Sequence, residues 1–75
     1  MNIQNKTFAE NLKRERKVKG FTQETMALEL EISRKRYASW EECRGTPNIY
    51  YLSRLCEVLQ VDDLYLFISK ELVES

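Results

Sequence analysis

Apolar side chains recur along this chain three and four residues apart, the spacing of helices that each bury one face, and the pattern is all-α throughout. In the first segment Phe8, Leu12 and, less regularly, Val18 mark an inward stripe, with Lys6, Lys13, Arg14, Lys17 and Lys19 on the solvent side. Gly20 supplies a left-handed stop, so a first helix is expected over about residues 6–19. Thr22 is a good N-cap, Glu24 suits the positive end of a helix dipole, and Met26, Ala27 and Leu30 define a short second helix. Ser33 caps a third, predicted over about residues 34–42. Only Glu31 and Ile32 separate the two, so they must meet at a sharp angle, with Ile32 turned inward as a wedge.

Thr46 and Pro47 break the chain next. Asn48 then caps a fourth helix whose Ile49, Leu52, Leu55, Cys56 and Leu59 share a face. Asp62 is placed to cap a fifth, from about residue 63 to 73, with Leu64, Phe67, Ile68 and Leu72 on one side and Tyr65 and Leu66 on the other. That apolar surface is too broad for one neighbouring helix.

The third helix carries the candidate chemistry. At 100° per residue Tyr37, Trp40 and Glu41 fall on one side, while Lys35, Ala38, Ser39 and Glu42 fall opposite, flanked by Arg34 and Arg36. The outer face is basic in its first turn and small in its middle. It fits a DNA major groove: Arg and Lys donate to guanine N7 and O6, Ser donates or accepts, and Ala offers a methyl contact to thymine. Taken alone, the run from Arg34 to Arg36 would more often be a solvated charged face.

Composition narrows the alternatives. Seventy-five residues leave room for a single domain, expected to span 1–75 with its core in 6–68, and a net stability of about 4 to 11 kcal/mol. The longest apolar run, 64–68, is far short of the roughly twenty residues a membrane span needs, and the polar start has no signal-peptide core. A cytoplasmic location is therefore expected, nucleoid-associated when DNA is bound. Twelve basic and twelve acidic residues cancel, but unevenly: residues 1–44 carry +3 and 45–75 carry −3. That dipole can orient the molecule on a polyanion.

Cys43 and Cys56, in a chain without an export signal, read as two reduced thiols. With no His and only two Cys, zinc spacing is missing and neither metal nor cofactor is expected. A nucleophile elbow and a phosphate loop are also missing, so catalysis is not expected. Tyr50, Tyr51 and Tyr65 suggest a platform for single strands only weakly, since helical tyrosines more often pack a core or an interface.

Thr22-Gln23-Glu24, Met26-Ala27, Ile32-Ser33, Tyr37, Trp40-Glu41 and Pro47 hold fixed spacings that resemble the Cro/cI-type (XRE) helix-turn-helix family, lambda-repressor-like, over about residues 8–66. The resemblance implies five helices, the second across the DNA backbone and the third reading the major groove. It implies a phosphate contact for Gln23 and base reading by Arg34, Lys35, Arg36 and Ser39, of which Lys35 and Ser39 rank highest on geometry. Thr22 and Ser33 act first as caps, with phosphate contact secondary. Arg44 is a further phosphate candidate, and Arg16 and Glu41 occupy the positions of a structural ion pair.

Two positions depart from the family pattern. Cys43 stands where a Gly is usual, so the turn is expected to shift toward Gly45, and Glu42 stands where it would repel phosphate. The function implied is operator binding by a homodimer on half-sites about 34 Å apart, with repression by steric block. Tyr65, Leu66, Phe67 and Leu72 are the interface candidates. The rival reading is a protein-interaction module of the same fold, antitoxin-like or a regulatory subunit, which net neutrality and Glu42 favour.

Overall fold

A computed structural model describes residues 3–67, and within them every regular element is helical. Helix α1 spans Ile3–Val18, α2 Gln23–Leu30, α3 Arg34–Glu41 and α4 Ile49–Leu59; α5, Asp63–Leu66, is a single turn. Among the described residues there are thus four full helices and one turn, where five helices are expected from the sequence. The expected extension to residue 73, with Ile68 and Leu72, lies outside the described residues.

The starts follow local rules. Thr22, Ser33 and Asn48 all sit in extended backbone, and each side-chain oxygen accepts from the backbone N–H three residues on, at 3.0 Å. The ends do not all follow them. Gly20 takes φ +82° after α1, as expected, but Glu31, Cys43 and Gln60 end α2, α3 and α4 in the left-handed region without being glycine. The turn after α3 is therefore not displaced to Gly45: Cys43 itself adopts φ +62°. Arg44 N–H reaches the Ser39 carbonyl at 2.9 Å and Glu42 N–H the Ala38 carbonyl at 3.0 Å, which satisfies the last turn of α3.

Phe8 and Leu12 of α1, Met26 and Leu30 of α2, Tyr37 and Trp40 of α3, Leu55 and Leu59 of α4 and Leu66 of α5 form one core. Ile32, the expected wedge, is partly buried against it. Val18 and Ile49, both expected to face inward, are 69% and 84% exposed, because each sits at the outer end of its helix. Asn11, buried on α1, sends its amide to the Leu66 carbonyl at 2.9 Å and lies 3.5 Å from that of Tyr65. A side chain of α1 thus satisfies a buried backbone carbonyl of α5. Phe67 stacks on Phe8 at 5.0 Å, and the Tyr65 hydroxyl donates to Glu15 at 3.1 Å, so α5 is clasped to α1.

Candidate nucleic-acid interface

Tyr37 and Trp40 anchor α3: both are almost fully buried, with edge-to-face rings 5.8 Å apart. This brace turns Arg34, Lys35 and Arg36 to solvent. Ser39 is half-buried, and its hydroxyl donates to the Arg36 carbonyl at 2.6 Å, leaving the oxygen as an acceptor. Ala38 does not share the outer face. It is 6% exposed, taken into the fold, and offers no methyl group to a groove.

Glu41 is the polar hub behind α3. Arg16 Nε donates to Glu41 Oε2 at 2.7 Å and Arg16 Nη2 to Oε1 at 3.1 Å, while Arg16 Nη1 reaches the Phe21 carbonyl at 2.9 Å. The Tyr37 hydroxyl donates to Oε2 and Gln23 Nε2 to Oε1, the latter at 3.0 Å. The Glu41 side chain is only 2% exposed. Burial alone would push its carboxyl up, but the hydrogen bonds from Arg16, Tyr37 and Gln23 together outweigh it and hold the pKa below the ordinary value. Burial, reinforced by the bond to Glu41, drives the Tyr37 phenol far up. The bond to Glu41 raises Arg16 against the opposing effect of burial. This network is what locks α3 onto α1 and the start of α2.

The other sequence candidates divide. Thr22 caps α2, and its hydroxyl also bonds that of Thr25 at 3.0 Å. Gln23 is half-buried with one amide hydrogen on Glu41, so a phosphate would meet its second. Arg44 folds back onto Glu42, with Nη2 2.6 Å from Oε1; both side chains are more than half exposed. Glu42 is thereby partly neutralised by its own neighbour. Arg36 leans toward α4, its guanidinium carbon 4.7 Å from the centre of the Tyr51 ring, a contact the sequence reading missed. Cation and ring are fifteen positions apart in sequence, on different helices, which no local spacing rule reaches.

Of the interface candidates, Tyr65 and Phe67 are 37% and 38% exposed, whereas Leu66 is fully buried in the core of its own chain and presents no surface to a partner. Its place on the outer side of α5 fails because α5 is one turn pressed on α1. Leu72 lies outside the described residues. Both cysteines are thiols, Cys43 exposed and Cys56 half-buried. Among the described residues no helix is long and apolar enough to cross a membrane, and no group of three His, Cys, Asp or Glu could hold a metal ion.

Two short helices meeting at a tight turn, the second presenting a cationic first turn from a buried aromatic brace, define a helix-turn-helix domain. A family model described as Helix-turn-helix matches residues 12–66, and the chain belongs to that family. No curated protein sequence matches the chain. Among solved structures it is similar to the restriction-modification controller protein C.AhdI from Aeromonas hydrophila, at 23% identity and TM-score 0.80 over 88% of this chain and 100% of that one. The controller protein C.Esp1396I, solved as a tetramer with its natural 35 base-pair operator, is 23% identical with TM-score 0.77 over 99% and 95%. The SOS-response transcriptional repressor LexA from Eubacterium rectale is 21% identical with TM-score 0.87 over 95% and 76%.

Proposed function

We propose that this chain is a sequence-specific regulator of transcription that binds double-stranded DNA as a homodimer, with α3 in the major groove. The observation that carries the reading is the exposure of Lys35 and its flanking arginines on a helix braced from behind by Tyr37, Trp40 and Glu41. Lys35 is the first base reader, and Ser39 joins it as an acceptor. Thr22, Gln23, Ser33, Arg34 and Arg44 flank them toward the phosphates. Because Arg44 is held only by an exposed pair worth about 0 to 1 kcal/mol, a phosphate can displace Glu42 from it.

The operator-bound relative and the repressor of similar fold support occupancy of an operator, with repression by steric block, in the cytoplasm. Tyr65 and Phe67 are the surface we assign to the homodimer. Residues 1–75 act as one binding domain without catalysis: the buried carboxylate of Glu41 is fully engaged by structural partners and has no acid-base role.

Selection of bound duplexes from a random pool tests this. A palindromic consensus with half-sites about one helical turn, 34 Å, apart is expected. Enrichment of no sequence, with binding to a protein partner insensitive to salt, would instead establish the protein-interaction module that the zero net charge and Glu42 favour.

A further inference from the structure

Five of the six arginines differ from Arg36 in how their guanidinium groups are held. Arg14, Arg16, Arg44 and Arg54 each donate to a protein oxygen: Asn11 Oδ1, Glu41, Glu42 and the Glu29 carbonyl. Arg34 is exposed and carries neither a hydrogen bond nor a ring contact among the described residues. Arg36 alone is positioned by a ring while, among the described residues, its guanidinium N–H groups are all unspent. The ring beneath it is itself held, since Tyr51 packs on Trp40 at 5.9 Å and meets Tyr50 edge-on at 5.1 Å. A guanidinium over an aromatic face keeps its donating edge available for a bidentate acceptor.

We propose that Tyr51 is a positioning residue for DNA binding, holding Arg36 so that its N–H edge meets a backbone phosphate on the α4 side of the groove. This rests on the reading of α3 as the groove helix. Phosphate is favoured over a base edge by position: Lys35 and Ser39 occupy the middle of the outer face, while Arg36 is turned about a quarter of a circle toward α4, where the groove wall is backbone. The stack orders a long side chain before DNA arrives, which lowers the entropy lost on binding.

The test uses the whole chain with a labelled duplex of mixed sequence and with the duplex selected from the random pool. Arg36→Ala is expected to weaken both by the same factor and to reduce the slope of log K against log salt by about 0.9. Tyr51→Phe is expected to bind as the wild type does. Tyr51→Leu is expected to bind about two- to fivefold more weakly, the equivalent of an exposed cation–π contact, and to cause no further loss in the Arg36→Ala background. In the free wild-type protein the Arg36 Nε–H resonance should carry a ring-current shift, which needs no variant to fold. A changed preference at one base pair in Arg36→Ala with the slope retained would make Arg36 a base reader and overturn the assignment. An equal loss from Tyr51→Leu in both backgrounds, or an unshifted Arg36 resonance, would overturn the positioning role. Failure of the wild type to bind either duplex would overturn the DNA reading, and this inference with it.

Discussion

Arg16 on α1 and Glu41 on α3 meet through two hydrogen bonds, at 2.7 and 3.1 Å, across 25 positions of chain. Both side chains are nearly inaccessible, 10% and 2% exposed, so neither charge has water as an alternative partner. Arg16→Ala should therefore cost about 3 to 5 kcal/mol, since it leaves a buried carboxylate with neutral donors only. Urea unfolding measures it, and an unchanged midpoint would contradict the pairing. Tyr37→Phe, which removes one donor and keeps the ring, should cost about 1 kcal/mol.

The same carboxylate sets an acid limit. The pKa of Glu41 is lower in the folded chain than its ordinary value of 4.5. Its contribution to stability is thus fully present above the unfolded value and is lost as the pH falls through the folded one. Thermal midpoints measured downward from neutral pH should decline more steeply below about pH 4.5 in the wild type than in Glu41→Gln. At neutral pH the variant is the less stable of the two. Parallel acid limbs would show that other carboxylates govern the decline.

Cys43 and Gln60 hold a left-handed backbone with φ of +62° and +60°. Glycine adopts that region freely, whereas other residues pay about 1 to 2 kcal/mol, offset in part by the greater unfolded-state freedom of glycine. Cys43→Gly and Gln60→Gly are each expected to stabilise the fold by about 0.5 to 1 kcal/mol, or about 2 to 8 °C in a domain of this size. Cys43→Val, branched at Cβ, should do the opposite. Calorimetry on the three variants separates backbone strain from any effect of the lost thiol, which both Cys43 variants share.

Asn11 ties α1 to α5 through the Leu66 carbonyl. Asn11→Ala should cost about 1 to 3 kcal/mol by leaving that buried acceptor unmade. Amide hydrogen exchange should show the loss concentrated in α5, and uniform acceleration across all helices would argue against a local clasp.

Three helix starts were legible in the sequence because a cap is a property of three or four adjacent residues: Thr22, Ser33 and Asn48 needed only their own neighbours, whereas α1 begins at Ile3, ahead of the expected residue 6. The inward stripe failed at Val18 and Ile49, since periodicity places a side chain on a face without saying whether the core extends that far. Ala38 fails for a related reason: the wheel puts it outside, but the fold covers that flank of α3. The expected shift to Gly45 followed glycine propensity, but a pair of backbone hydrogen bonds at the end of α3 fixes Cys43 instead. Arg16 and Glu41 were named from a family resemblance. Gln23 and Tyr37 as further donors to Glu41, and Tyr51 beneath Arg36, depend on how helices distant in sequence face one another.

Helix α3 has eight residues, fewer than the roughly 12 to 15 an isolated helix needs to persist in water. Its shape is on loan from the packed interior. Temperature-sensitive alleles should accordingly fall at buried sites such as Leu12 and Leu59, away from the proposed reading face, and at the restrictive temperature their phenotype in a genetic screen should match loss of the proposed reading residues.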